Sequence, residues 1–137
     1  MTDMTAIAGR TEDRLLFICY SRCSTCARAR RWLTEQGIEF TQRDIKTDNP
    51  TKAELAAWYH ASGLPIRRFF NTSGQLYRSL GLKDKLPSMS DDEALELLAT
   101  DGMLVKRPIV VSAHGILVGF SPEAWGGMLE STGDRIK

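Results

Sequence analysis

Phe17-Ile18-Cys19-Tyr20-Ser21-Arg22-Cys23-Ser24-Thr25-Cys26-Ala27-Arg28-Ala29-Arg30-Arg31-Trp32-Leu33 is the stretch from which the rest of the chain can be read. An apolar run, Leu15 to Tyr20, stops at Ser21, and good helix formers begin just after Cys23, so the segment reads as strand, short turn and helix. A cysteine at the first turn of a helix faces unpaired backbone N–H groups and the positive end of the helix dipole, and both favour thiolate over thiol. Cys23 is therefore a candidate nucleophile. Cys26 lies one helical turn further on, within reach of a sulfur adduct on Cys23, so the C-x-x-C pair can close as a disulfide.

The same motif is half of a zinc site. A structural zinc needs four ligands, however, and the chain adds only Cys19, His60 and His114, at none of the spacings of a second ligand pair. Cys19, inside the apolar run, reads as a buried packing residue. The polar and cationic neighbours Ser21, Arg22, Ser24, Thr25 and Arg28 set Cys23 and Cys26 apart from it.

The chain has 137 residues, 42% of them hydrophobic, enough for one domain with its own core. Eighteen basic residues against 17 acidic ones leave a net charge of +1, so no global field attracts nucleic acid and local arginines must carry any anion binding. No apolar run reaches the length of a membrane span, and Met1 to Asp13 lacks the hydrophobic centre of a signal peptide. The expectation is a cytoplasmic protein with no membrane and no direct nucleic-acid partner. In that compartment a C-x-x-C pair is redox-active rather than a permanent staple.

Outward from the motif, residues 1–13 read as a loose tail and 14–137 as a single domain. The first helix is expected from Ser24 to Gln36, stopping at Gly37, with Ala27, Trp32 and Leu33 on its apolar face. Ile38 to Ile45 alternates in part, as a half-buried strand does, and the βαβ order makes the first two strands parallel. An inserted block over about 49–102 reads as helical throughout. Its marks are capping boxes at Thr51-Lys-Ala-Glu54 and Ser90-Asp-Asp-Glu93, a short helix over Pro65–Phe70 and one helical piece from Gln75 to Leu82. Pro108 to Ser112 and Ile116 to Phe120 form an antiparallel pair turning at His114-Gly115. A last helix is capped by Ser121, has Pro122 at its first position and runs to about Glu130, with the remainder to Lys137 fraying. The sum is an α/β fold, β-α-β, helices, then β-β-α, with a mixed four-stranded sheet and the chemistry at strand carboxyl ends.

That topology brings Arg107-Pro108, at the entry to the third strand, next to the end of the first. A guanidinium there lowers a thiol pKa and offers a bidentate fork to an oxyanion at the helix N-terminus. Position alone favours reading Arg107 as a surface arginine beside Lys106, and Arg22, a second candidate within the turn, reads likewise as a solvated charge. Neither His60 nor His114 sits in a catalytic spacing.

Cys23-Ser-Thr-Cys26-Ala-Arg-Ala, Trp32-Leu33, Asn71-Thr-Ser-Gly74, Tyr77, Leu80, Leu104-Val-Lys-Arg107-Pro108-Ile109-Val110 and Val118-Gly-Phe120 together resemble the arsenate reductase ArsC/Spx family, over about Leu15 to Leu129. The resemblance implies a thioredoxin-like fold with an inserted helical subdomain, and a cis Arg107-Pro108 peptide where an ordinary X-Pro bond would be trans. It implies an oxidoreductase in which Cys23 attacks an arsenate-like oxyanion or a disulfide and Cys26 or glutathione resolves the adduct. Ser24, Thr25, Arg22, Arg67, Arg107 and Pro108 would line the site. No metal or tightly bound cofactor is implied. Glutathione or another thiol would serve as electron donor, with glutaredoxin or thioredoxin as partner.

In the enzymes of this family three arginines hold the oxyanion, and only Arg107 matches one of them. Asn71 stands at the second position, with Arg67 and Arg68 a helical turn away, and the third falls near Phe120. Each missing cation removes a charge-assisted hydrogen bond of ~1.5–3 kcal/mol. The second cysteine resembles instead the Spx branch, which implies the alternative of a redox-switched transcriptional regulator that binds RNA polymerase.

Overall fold

The computed structural model describes residues 14–136, so the expected N-terminal tail at 1–13 lies outside the described residues. Strand β1 (Leu15–Cys19) is central, with β2 (Phe40–Asp44) parallel on one side and β3 (Ile109–Ser112) antiparallel on the other. Strand β4 (Gly115–Val118) pairs with β3 and completes the order β2-β1-β3-β4. The mixed four-stranded sheet is thus as expected, and the βαβ unit is parallel because helix α1 (Ser24–Glu35) returns the chain across the sheet.

Side chains alternate along β1 and divide the core in two. Leu15, Phe17 and Cys19 face α1 and the last helix, meeting Cys26, Ala29, Leu33, Val110, Trp125 and Leu129. Ile18 faces the other way, into a larger cluster with Ile45, Leu55, Phe69, Phe70, Leu98 and Ile109. The inserted block therefore shares a core with the sheet. Trp32, half-buried, meets Phe120 and Trp125 edge-on at centroid distances of 6.5 and 6.0 Å. The buried face of α1 is Cys26, Ala29 and Leu33, whereas Ala27 is exposed, contrary to the apolar face expected. A spacing of three and four from Cys26 selects that face.

The inserted block departs from an all-helical reading in three places. Helix α2 (Lys52–Ser62) has the expected capping box and ends at Gly63 in the left-handed conformation. The next segment, Ile66–Phe69, is a single 3-10 turn, and Phe70 then bridges to Val105 in the antiparallel sense. The helical piece expected from Gln75 to Leu82 is broken at Gly81, whose φ of 65° separates α3 (Gln75–Ser79) from α4 (Leu82–Lys85). Helix α5 (Asp91–Leu98) begins with the second capping box but stops at Leu98, short of Gly102. A 3-10 turn, Gly102–Leu104, follows instead.

The hairpin turns at Ala113-His114, one residue earlier than expected, because Ser112 pairs with Gly115 and its hydroxyl accepts from the His114 amide. Helix α6 (Pro122–Ile136) is capped by Ser121, whose hydroxyl accepts from the Ala124 amide. Its backbone is helical to Ile136, past the end expected near Glu130. Among the described residues no helix is long and apolar enough to cross a membrane.

One ion pair ties the insertion to the sheet. Arg43 on β2 donates through Nη1 and Nη2 to both carboxylate oxygens of Glu54, each at 2.8 Å, while Glu54 also accepts from the Thr51 amide of its capping box. The Arg43 hydrogen bond leads in holding the Glu54 carboxyl down at about 2, against 4.5 ordinarily. A depressed carboxylate pKa contributes stability that is full above pH 4.5 and is lost as pH falls toward 2. Urea midpoints measured across that window are expected to fall more steeply in the wild type than in Glu54→Gln, and parallel curves would show that the pair does not stabilise the fold.

Candidate active site

Cys23 is the N-cap of α1, in extended conformation at φ −99° and ψ 119°, with no capping hydrogen bond from its thiol side chain. The turn before it is closed by the Cys23 amide donating to the Tyr20 carbonyl at 3.1 Å. That turn leaves the sulfur half-exposed over the first amides of the helix. Burial works against ionisation of Cys23. The Cys26 amide, the Cys26 side chain, the charge of Arg107 and the Thr25 amide together outweigh it, and the thiol is held below its ordinary 9.0.

Cys26 is fully buried and accepts from the Tyr20 amide at 3.3 Å. Its thiol lies within side-chain hydrogen-bonding reach of both Cys19 and Cys23, and donating its proton to them, together with burial, pushes its own pKa far up. Cys26 therefore holds its proton more tightly than Cys23 does. That division suits a nucleophile and a resolving thiol.

Two residues of this cluster went unrecognised in the sequence. Cys19, expected to be inert packing, is only 1% exposed but stands beside Cys26 at the end of β1. Arg30, to which the sequence reading gave no role, is half-buried and reaches back from α1, with Nη2 3.8 Å from Cys19 Sγ and Nε donating to Gln42 at 2.9 Å. The Cys26 hydrogen bond lowers the Cys19 thiol most. Burial opposes it, Arg30 helps through a hydrogen bond and its charge, Asp44 opposes, and the result is about 7. The signal was present in strand alternation, since Leu15, Phe17 and Cys19 share the face that α1 covers. Arg30 has no such signal.

Arg107 lies near Cys23, with its guanidinium carbon 5.1 Å above the Tyr20 ring and Nη1 3.5 Å from the Val105 carbonyl. Among the described residues its Nε is the buried side-chain nitrogen or oxygen that lacks a hydrogen-bond partner. A guanidinium N–H that no protein acceptor engages keeps the capacity to donate a charge-assisted hydrogen bond. The Arg107-Pro108 peptide is cis and Pro108 is buried, its carbonyl accepting from the Gly119 amide at 2.8 Å.

The remaining candidates fall around this centre unevenly. Ser24 and Thr25 open α1 directly after Cys23, Ser24 exposed and Thr25 half-buried. Arg22 is exposed on the turn. Arg67 is exposed and lines a neighbouring cleft of about 350 Å³ with Pro65, Arg68, Phe70, Thr72 and Lys106. Asn71 hydrogen-bonds through its amide to the Leu104 carbonyl at 2.8 Å, and Phe120 stacks edge-on against Trp125 at 4.9 Å.

Residues 19–128 match the model of the ArsC family. The chain belongs to that family. Its match to YusI of Bacillus subtilis is 50% identical over 109 residues, covering 80% of this chain and 92% of that one. The regulatory protein MgsR of the same organism is 31% identical over 111 residues, 81% and 86% of the two chains. An arsenate reductase of Rhizobium meliloti is 34% identical over 93 residues, 68% of this chain and 65% of that protein. Relatives named global transcriptional regulator Spx match at lower identity, 28% in Enterococcus faecalis. Among solved structures, an ArsC family related protein of Bacteroides fragilis superposes with a TM-score of 0.82 at 52% identity, over 85% of this chain and 98% of that one. The fold is thioredoxin-like, as the resemblance implied.

Proposed function

We propose that this ArsC family protein is a cytoplasmic thiol-dependent oxidoreductase with Cys23 as nucleophile and Cys26 as resolving thiol. The observation that carries the reading is an acidified, half-exposed thiol one turn from a protonated one, beside an arginine whose buried Nε lacks a partner. On a substrate disulfide R–S–S–R′, the Cys23 thiolate attacks one sulfur and R′S⁻ leaves. Cys26 then attacks Cys23 Sγ, its proton passing to the departing RS⁻, and the Cys23–Cys26 disulfide forms as RSH is released. The helix amides and Arg107 stabilise the sulfur anions. Two molecules of an external thiol such as glutathione, leaving as its disulfide, or the dithiol of a glutaredoxin or thioredoxin, restore the two electrons.

An arsenate-like oxyanion fits the same chemistry, with Arg107 and the amides of Thr25 and Cys26 as its donors. Asn71 and Phe120 supply no charge, so a disulfide, which needs less cationic support, is the favoured substrate class. Iodoacetamide alkylation of Cys23 against pH tests the reading. The inflection is expected below 9.0, and Cys26→Ala is expected to raise it by removing the side-chain donor. An inflection at 9.0 or above in the wild type would refute the nucleophile assignment.

A second reading, a redox-switched regulator docking on RNA polymerase, is supported by the likeness to MgsR and Spx. It predicts no turnover of arsenate or model disulfides, and capture of RNA polymerase that changes when reductant is withheld.

A further inference from the structure

The chemistry proposed above uses two of three sulfurs. Cys19 and Cys26 sit on one buried face, Cys19 at the last position of β1 and Cys26 on the first turn of α1. Cys26 is within hydrogen-bonding reach of both neighbours and so lies between them. Arg30 spans from α1 to place a guanidinium nitrogen 3.8 Å from Cys19 Sγ, and among the described residues no carboxylate forms an ion pair with it. An arginine directed at a buried sulfur stabilises that sulfur as an anion.

We propose that Cys19 is a third redox centre, which attacks Cys26 Sγ of the Cys23–Cys26 disulfide and moves the bond inward to Cys19–Cys26. The S–S bond between Cys23 and Cys26 breaks as that between Cys19 and Cys26 forms. Cys23 leaves as thiolate, so no electron or proton is gained or lost, and the two-electron oxidation remains that delivered by the substrate disulfide. The step rests on the proposed function, because it starts from the disulfide which that chemistry forms.

Both ends of the exchange are favoured. In the Cys23–Cys26 disulfide Cys26 no longer has a proton to donate, and Arg30, through its hydrogen bond and its charge, is what favours the Cys19 thiolate against burial. The leaving sulfur is stabilised by the Cys26 and Thr25 amides and by Arg107, and a thiol of lower pKa leaves faster. The product differs in access. A Cys19–Cys26 bond joins two residues that are 1% and 0% exposed, so external thiols reach it poorly, while Cys23 returns to the surface as a free nucleophile. The oxidised protein then persists after substrate has gone and can take a second adduct on Cys23.

Trypsin separates the alternatives, because it cuts after Arg14, Arg22 and Arg28. Cys19 falls on the peptide Leu15–Arg22, and Cys23 and Cys26 fall together on Cys23–Arg28. The full chain is treated with oxidised glutathione, acid-quenched, alkylated and mapped by mass spectrometry over time. The expected result is an early internal disulfide in Cys23–Arg28, giving way to a cross-link between the two peptides with Cys23 alkylated. In Cys23→Ser the same cross-link is expected to form more slowly, on the order of tenfold, because Cys26 is inaccessible to the oxidant. An internal disulfide that never passes to Cys19 overturns the relay and leaves the proposed function standing, whereas a cross-link through Cys23 overturns both the relay and the assignment of Cys26 as resolving thiol. A cross-link formed as fast in Cys23→Ser overturns the order of steps. Absence of any disulfide, with glutathione retained on Cys23, overturns both the relay and the internal resolution proposed for Cys26.

Discussion

Cys23→Ser is expected to lower reductive turnover by on the order of a thousandfold or more, because a serine hydroxyl does not ionise near neutral pH and no helix amide or guanidinium brings it into that range. The assay supplies glutathione and glutaredoxin and offers arsenate and a glutathione mixed disulfide as alternative substrates. Cys26→Ser is expected to behave differently. It retains a side-chain donor toward Cys23, so the first attack proceeds and the protein accumulates as a mixed disulfide visible as a mass increase. Equal loss in both variants with accumulation only in Cys26→Ser supports internal resolution. Activity preserved in Cys26→Ser would assign resolution to the external thiol, and activity preserved in Cys23→Ser would remove this sulfur from the chemistry altogether.

Gly102→Ala is expected to destabilise the fold by about 3 kcal/mol or more. A Cβ at Gly102 would lie 1.7 Å from the Ile45 carbonyl oxygen and 2.7 Å from its carbon, and both are backbone atoms that cannot rotate away. Ile45 closes β2 through its amide bond to the Cys19 carbonyl at 2.8 Å, so relief by moving that segment would disturb the strand that carries Cys19. Gly127→Ala is the matched control. It lies inside α6, where among the described residues no atom beyond its chain neighbours and the nearby helix backbone comes within 4 Å of an added Cβ, and the substitution is expected to stabilise by about 0.5–1 kcal/mol. Urea midpoints of the two variants should therefore move in opposite directions at unchanged slope, and a neutral Gly102→Ala would contradict the close approach.

What was legible in the sequence was what local rules encode. Capping boxes at Thr51 and Ser90, the C-cap glycine at Gly63, Pro122 after Ser121 and the strand-turn-helix around Cys23 all appear in the structure, because each is set by residues a few positions apart. The parallel pairing of β1 with β2 followed from connection geometry. The breaks in the inserted block were not legible, since Gly81 in a left-handed conformation and the Phe70–Val105 bridge answer to packing across the chain. In the sulfur cluster, Cys23, Cys26 and the proximity of Arg107 came from pattern and resemblance. The role of Arg30 did not, because a long cationic side chain on a helix is solvated in most settings and only the tertiary structure shows it turned back toward Cys19.

The stretch running up to Arg107 does not stand alone. Asn71 N–H bonds to the Leu104 carbonyl at 2.8 Å and Lys106 N–H to the Phe69 carbonyl at 2.9 Å, so the two chain segments are buttoned together just ahead of the guanidinium. The arginine's distance from the reactive sulfur is consequently governed from outside the sheet, by a hook of backbone belonging to the inserted block. Substitutions that loosen this pairing of Phe69–Asn71 with Leu104–Lys106 are therefore expected to displace Arg107 while all three cysteines stay where they are.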